Sequence, residues 1–298
     1  MMEEREKMAI DLSGYWLVHH VACQCNSRCK FCIVKYRLKD QEKPLDQVLR
    51  EMEMVSHADQ YYLTGGEPTL RSDLPQIVAH AKKRNDIVRL HSNGRRFKDR
   101  SYVQELRSAG LDGAIISFHV TNEEDSRRLI GTSEDYREKV VGIENMLGEG
   151  MWVQTNTIAA AYNYQQLPEI IGEILRRFPQ INKARITYAS FNEHSDRNQF
   201  VPLREVRPFI QAVVDKHGAK IEVENVPLCV VDSAQHDAYF DKFPIMVFIG
   251  SRGEFFYGPG QRKKFDMCGS CEKDKRCQGV YRNYQMLFDP DKDLKPVQ

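Results

Sequence analysis

Three thiols, Cys25, Cys29 and Cys32, fall within the stretch "CNSRCKFC", flanked by Arg28 and Lys30. Thiolates bind soft metals, but a closed zinc site takes four protein ligands, usually as two close pairs set far apart. Thiolates also hold four-iron clusters, where three ligands leave one iron open to bind and activate another molecule. Cys23, two residues upstream, offers a possible fourth ligand, so a zinc loop stays open as an alternative at this point.

The chain has eight cysteines; besides Cys23 and the triplet there are Cys229, Cys268, Cys271 and Cys277, and the long interval between the groups holds none. In a reducing compartment two such groups suggest two metal sites rather than disulfides. "CGSCEKDKRC" places the last three at CxxCx5C spacing, with Cys229 as a fourth thiolate. Four thiolates fully ligate either zinc or a four-iron cluster, and spacing alone does not choose.

Basic and acidic residues nearly cancel over the 298 residues, 43 against 42, which gives no overall electrostatic reason to expect nucleic acid or an anionic membrane as partner. The first residues, "MMEEREKMAIDLSG", lack the basic start and apolar core of a secretory signal, and no apolar run approaches the roughly 20 residues of a membrane span. A cytoplasmic protein is the expectation.

The elements that must position the thiols alternate. "YWLVHHVA" (15–22) reads as a strand running into the triplet, the run from Asp46 as a helix, and "QYYLTGG" as a strand ending at Gly65 and Gly66. A helix capped by Ser72 or Asp73 follows, then the strand "DIVRLHSNG", a helix stopped by Gly110, the strand "GAIISFHV", a helix from Asp135, and the strand "WVQTNTIA". In "NYQQLPEIIGEILRRF", Leu167, Ile170, Ile171, Ile174, Leu175 and Phe178 form one apolar stripe at helical spacing, and "ARITYAS" supplies a sixth strand. Such alternation argues for an α/β fold with a parallel sheet, whose ligands sit at the carboxyl ends of the strands. After about Ser190 the pattern weakens to a helix over 203–217, a strand near 221–223 and a hairpin turning at "GSRG".

The CxxxCxxC spacing, with the aromatic Phe31 before its last cysteine, resembles the cluster motif of the radical S-adenosylmethionine (radical SAM) enzymes. The resemblance implies a [4Fe-4S] cluster on Cys25, Cys29 and Cys32 whose open iron binds S-adenosylmethionine. An electron would then release a 5′-deoxyadenosyl radical that abstracts hydrogen from a substrate. "TGGEP" is similar to the family's GGE motif, which gives Gly65, Gly66 and Glu67 the methionine amine. Ser92 and Asn93 in "HSNG", Ser117 in "ISFHV" and Asn156 in "TNTIA" resemble family positions for ribose, carboxylate and adenine, and Arg128 matches an arginine for the cofactor carboxylate. His119 departs from a more familiar acidic residue and reads as a structural histidine.

The implied fold is a partial (β/α)6 barrel over 15–217, with a 14-residue lead before it and a small hairpin-and-cysteine extension over 218–298. That extension resembles the auxiliary-cluster module called twitch, a short form of SPASM, which implies a second [4Fe-4S] cluster, with zinc as the alternative. It lacks the final cysteine spacing and terminal glycine pair of the molybdenum-cofactor cyclase. The expected function is hydrogen abstraction for oxidation or crosslinking of a peptide, or for cyclisation or dehydrogenation of a small molecule, with an electron donor such as flavodoxin or ferredoxin. Tyr188, Asn192, Arg252 and Tyr257 are candidate substrate ligands. The competing reading is a zinc-stabilised, non-catalytic binding protein with two structural cysteine sites.

Overall fold

The computed structural model describes residues 9–35, 40–189, 196–232, 245–250, 252–257 and 262–297. Strands β1 (Ile10–Ala22), β2 (Val55–Gly65), β3 (Val88–Ser92), β4 (Gly113–Ser117), β5 (Trp152–Ala159) and β6 (Lys183–Tyr188) alternate with helices α1 (Leu45–Glu53), α2 (Leu74–Lys82), α3 (Arg100–Ser108), α4 (Asp135–Gly148) and α5 (Leu167–Arg177). Helix α6 (Leu203–His217) then leads to β7 (Ile221–Glu224), β8 (Ile245–Ile249) and β9 (Phe255–Tyr257). The six expected strands are all present and hydrogen-bonded in chain order, each parallel to the next. The sheet curls into a half-barrel, and all its strands but β9 are parallel.

Two features lay outside the sequence reading. Strand β1 begins at Ile10 rather than Tyr15, because an irregularity between Leu12 and Trp16 lets the pairing with β2 continue past Gly14, whose φ of 83° a side chain would resist. The strands assigned to the extension also join the barrel: β7 pairs with β6 at one edge, and β8 pairs with β1 at the other. The hairpin turning near "GSRG" is present as β8 and β9, with Val247 opposite Tyr257.

Alternation along the strands separates two apolar layers. Leu17, Leu63, Leu90, Ile116, Val153, Ile186 and Val247 join the helices in the main core, including Leu167, Ile170, Ile171, Ile174 and Phe178 of the expected stripe. Burying each such side chain contributes about 1.5–3 kcal/mol. The opposite face carries Val18, Tyr62 and Ile115 with Trp16, Trp152, Met246 and Phe248, which fill the floor of the half-barrel.

Beside β1 the fold buries charge. His19 Nε2 lies 2.8 Å from Glu51 Oε2, and Lys43 Nζ donates to Glu51 Oε2 at 2.5 Å and to the Gly250 carbonyl at 3.0 Å. Lys43 thus ties the end of β8 to α1. No helix among the described residues is long and apolar enough to cross a membrane.

Candidate active site at the carboxyl ends of the strands

The cysteine loop leaves β1 and is held on three sides, on two by backbone hydrogen bonds and on the third by side chains. From β2, the Gly66 and Glu67 amides donate to the Ala22 and Gln24 carbonyls, both at 2.7 Å. Side chains cannot be accommodated there: a Cβ on Gly65 would lie 2.1 Å from the Ala22 oxygen, and one on Gly66 2.2 Å from the Gln24 oxygen. The close approach that these glycines permit is therefore to the chain that enters the loop. On the far side the Arg28 and Lys30 amides donate to the Ile130 and Leu129 carbonyls at 2.8 and 3.0 Å, joining the loop to the π-helical turn Ser126–Ile130. From the end of β3, Asn93 Nδ2 donates to Asn26 Oδ1 at 2.7 Å and Arg95 Nη1 to the Asn26 carbonyl at 2.8 Å.

Glu67 is 1% exposed, and its carboxylate accepts from the Thr69 hydroxyl at 2.6 Å, the Ser92 hydroxyl at 2.8 Å and the Thr69 and Asn93 amides at 3.1 and 2.6 Å. Burial pushes its carboxyl above the usual range against the pull of those donors. Glu67, Ser92 and Asn93 thus form one knot that fixes the turn after β2 to the end of β3 and, through Asn93, to the cysteine loop. Ser117 and Asn156 pair in register on β4 and β5, and Asn156 Oδ1 accepts from the Thr187 hydroxyl at 2.7 Å. Arg128, half exposed, pairs with Asp125 at 2.6 Å.

Phe31 is buried against Val120, Leu129 and Ile130, and its ring meets the His119 ring edge-on at 4.6 Å. His119 is 3% exposed, and its Nδ1 accepts from the Ile158 amide at 3.2 Å. Burial, with Lys139 adding to it, holds this imidazole neutral. That is the structural histidine expected from the sequence.

The thiols fit a group that takes thiolates. Burial raises Cys25 to about 11 and Cys29 to about 12, and the three sulfurs act electrostatically on one another, so a cation is what would make them anionic together. The Ser27 amide donates to Cys25 Sγ, and the Val34 and Lys35 amides toward Cys32. Cys23, by contrast, is buried at the end of β1, where its own amide donates to Glu42. None of the eight cysteines is joined in a disulfide. Among the described residues, no three Cys, His, Asp or Glu side chains converge as ligands of one ion.

The second group comes together in the tail. Cys229, Cys268, Cys271 and Cys277 line a single cleft with Pro227, Met267, Leu294 and Pro296. A backbone amide donates to each sulfur: Lys295 to Cys229, Phe265 to Cys268, Val297 to Cys271 and Gly279 to Cys277. Residues 294–297 therefore strap the cleft.

The sequence reading missed residues on the concave face. Arg185 lies 3.2 Å from Glu222 and 3.6 Å from Glu224, Gln154 donates to Glu222 at 2.6 Å, and the Thr187 hydroxyl lies 2.9 Å from Glu224. His91 sits edge-on to Tyr62 at 5.2 Å, with burial and then the nearby Arg185 and His20 lowering it to about 3. The polar alternation in "KARITY" and "IEVE" carried the signal for the row from Arg185 to Glu224. Of the expected substrate ligands, Tyr188 is instead in the core, its hydroxyl donating to the Val201 carbonyl at 2.6 Å, because it alternates with Thr187 to the helix side. Arg252 is exposed on the hairpin turn, while Asn192 and the side chain of Tyr257 lie outside the described residues.

A curled parallel half-barrel that gathers a cysteine triplet and strand-end polar groups at one rim defines the class of a cofactor-dependent α/β enzyme. Residues 21–174, over half of the chain, match the model of the radical SAM superfamily, and the chain belongs to that superfamily. It is 30% identical over 141 residues to a probable GTP 3′,8-cyclase of Pyrobaculum aerophilum and 27% identical over 206 residues to the GTP 3′,8-cyclase of Helicobacter pylori. These matches cover 45% and 66% of this chain and span 44% and 62% of those relatives. Among solved structures, Streptococcus suis SuiB bound to S-adenosylmethionine aligns with a TM-score of 0.62 at 15% identity over 89% of this chain and 72% of its own. Native anSMEcpe with bound AdoMet and the Kp18Cys peptide aligns at 0.67 and 13% identity, over 97% of this chain and 93% of its own. The protein is an enzyme, and the non-catalytic zinc-protein reading gives way to that membership.

Proposed function

We propose that Cys25, Cys29 and Cys32 hold a [4Fe-4S] cluster whose open iron takes S-adenosylmethionine. When bound, the two together supply one-electron reductive cleavage of a carbon to sulfur bond and hydrogen abstraction from a substrate. The observation that carries this reading is the three-sided clamp on the cysteine loop: the turn after β2 and the π-helical turn Ser126–Ile130 hold it through backbone hydrogen bonds, and Asn93 and Arg95 after β3 hold it through their side chains.

Gly65, Gly66 and Glu67 hold the turn beside the methionine amine, with the Glu67 carboxylate acting by fixing the Thr69 and Asn93 backbone amides. Ser92, Asn93, Ser117 and Asn156 face ribose, carboxylate and adenine, Arg128 exchanges Asp125 for the cofactor carboxylate, and Phe31 walls the site. The core expected over 15–217 is widened by the start of β1 at Ile10 and by β7 and β8 of the segment 218–298, and the cysteine-bearing remainder of that segment is a twitch-like extension. Its Cys229, Cys268, Cys271 and Cys277 would hold a second [4Fe-4S] cluster, with zinc as the alternative, and such a cluster would take up one electron from a substrate radical and hand it on to the external electron carrier, for a net oxidation or crosslink. Flavodoxin or ferredoxin serves as reductant.

A peptide substrate is supported by peptide-bound neighbours, SuiB with the precursor peptide SuiA and anSMEcpe with Kp18Cys, which align over 95% and 97% of this chain. A small-molecule cyclisation is the second reading, favoured by the cyclase relatives. The test is iron and sulfide content after anaerobic reconstitution, with 5′-deoxyadenosine followed on adding reductant and S-adenosylmethionine. About eight irons falling to about four in a Cys25→Ala, Cys29→Ala, Cys32→Ala variant, with loss of cofactor cleavage, is the expected result. Zinc without iron or cleavage sinks it.

A further inference from the structure

One buried residue turns the chain from the barrel into the tail. Asn225 directly follows β7 and is 8% exposed, and among the described residues it alone, glycines aside, has a positive φ, 64°. Asparagine enters this left-handed region more readily than most residues, yet still at a cost that its surroundings must offset. Before the turn, Glu222 and Glu224 face the concave side with Arg185. After it, Pro227 and Cys229 line the cysteine cleft.

The side chain of Asn225 supplies that offset by three hydrogen bonds. Its Oδ1 accepts from Arg262 Nη2 at 2.6 Å and from the Tyr281 hydroxyl at 3.2 Å, and its Nδ2 donates to the Tyr188 carbonyl, at the end of β6, at 3.4 Å. Arg262 and Tyr281 stand opposite one another in a small antiparallel ladder of β10 (Arg262–Lys263) and β11 (Val280–Tyr281), with the guanidinium 5.0 Å from the centre of the tyrosine ring. That ladder leads to the other three cysteines. Phe265, two residues after β10, gives its amide to Cys268, and Gly279, immediately before β11, gives its amide to Cys277. A Cβ on Gly279 would lie 2.1 Å from the Lys263 oxygen, so the two strands close directly beside Cys277. Cys229 therefore arrives on one piece of chain and Cys268, Cys271 and Cys277 on another. Besides the strap over residues 294–297, Asn225 ties the two pieces together, at a point outside the cleft itself.

We propose that Asn225 is a positioning residue for the second metal site: by holding the Arg262–Tyr281 rung against the ends of β6 and β7, it sets Cys229 in place relative to the three later cysteines. The inference rests on the reading of those four thiols as a metal site. Partners that orient ligands without touching the metal typically change its affinity tenfold or more, because without them binding must itself order the ligands.

The experiment uses the full chain carrying Cys25→Ala, Cys29→Ala and Cys32→Ala, which leaves the tail group as the intact one. It is loaded anaerobically with iron and sulfide, or with zinc, and then challenged with excess chelator while metal release is timed. Asn225→Gly keeps the left-handed turn but deletes the side chain, and is expected to release metal about tenfold faster. Asn225→Asp keeps the acceptor for Arg262 and Tyr281 and is expected to restore slow release. Arg262→Met leaves the turn as it is and is expected to match Asn225→Gly; it decides alone if the glycine variant does not fold. Release at the unsubstituted rate from Asn225→Gly or Arg262→Met, or release from Asn225→Asp as fast as from Asn225→Gly, overturns the inference and leaves Asn225 as a turn residue. A chain that takes up neither iron nor zinc at the tail cysteines overturns the second-site assignment and this inference with it.

Discussion

At the scale of single residues, Gly66 separates backbone packing from cofactor contact. A methyl group there meets the Gln24 carbonyl at 2.2 Å, backbone against backbone, with no flexible side chain to yield. Gly66→Ala is expected to cost about 3 kcal/mol and to reduce iron uptake, measured by denaturant unfolding and iron content. Glu138 gives a pH-dependent counterpart. Burial works to raise its carboxyl, but hydrogen bonds from Lys98 and Arg95 outweigh that and hold it below the ordinary 4.5. A lowered folded value means that its stabilisation is fully present above the unfolded value and is lost as pH falls through the folded one. Glu138→Gln should therefore lower Tm at neutral pH, by about 1 kcal/mol of stability, and match wild type in acid. A gap between the two that persists unchanged into strong acid would contradict the assignment. Since Arg95 also donates to the Asn26 carbonyl, the cysteine loop should loosen over the same window.

Individual elements were legible where one pattern decided them. The α5 stripe was readable because helical spacing and burial agree: Ile170, Ile171 and Ile174 are all buried. Ile174→Ala is expected to cost about 2–5 kcal/mol by thermal or denaturant unfolding. Gly172 on the same helix is different in kind, for nothing lies within 4 Å of an added Cβ. Gly172→Ala should gain up to about 1 kcal/mol, because the helix loses a flexible residue and meets no obstacle. The boundary of β1 was missed for a local reason: Gly14 reads as a break in one strand, and only pairing with β2 carries the strand through it to Ile10. Tyr188 was misread for a related reason, since a strand residue's face follows from its neighbours' burial rather than from its own polarity.

Over the whole molecule, the tail is fastened to the barrel by charge as well as by strand pairing. Lys43 joins Glu51 and the Gly250 carbonyl, and Glu51 also receives His19, where burial holds the imidazole below its usual value. Breaking such a buried pair costs about 3–5 kcal/mol, because the partner charge is stranded. Lys43→Met should therefore speed amide hydrogen exchange in β8 and β9 before it does so in β4 and β5. Equal exchange in both regions would mean that the hairpin depends on β1 pairing alone.

The sequence by itself determined the alternating α/β elements, the two cysteine groups and the placing of Gly65, Gly66, Ser92 and Ser117 at strand ends, because each follows from local spacing and periodicity, whereas Asn156 falls inside β5. Only the tertiary structure decided that the glycines admit the chain entering the cysteine loop and that Glu67 is saturated by its own neighbours. It also decided that β7 and β8 extend the barrel and that Arg185, Glu222 and Glu224 share its concave face. Those facts depend on which residues far apart in the chain come within a few ångströms, and no local pattern encodes that distance.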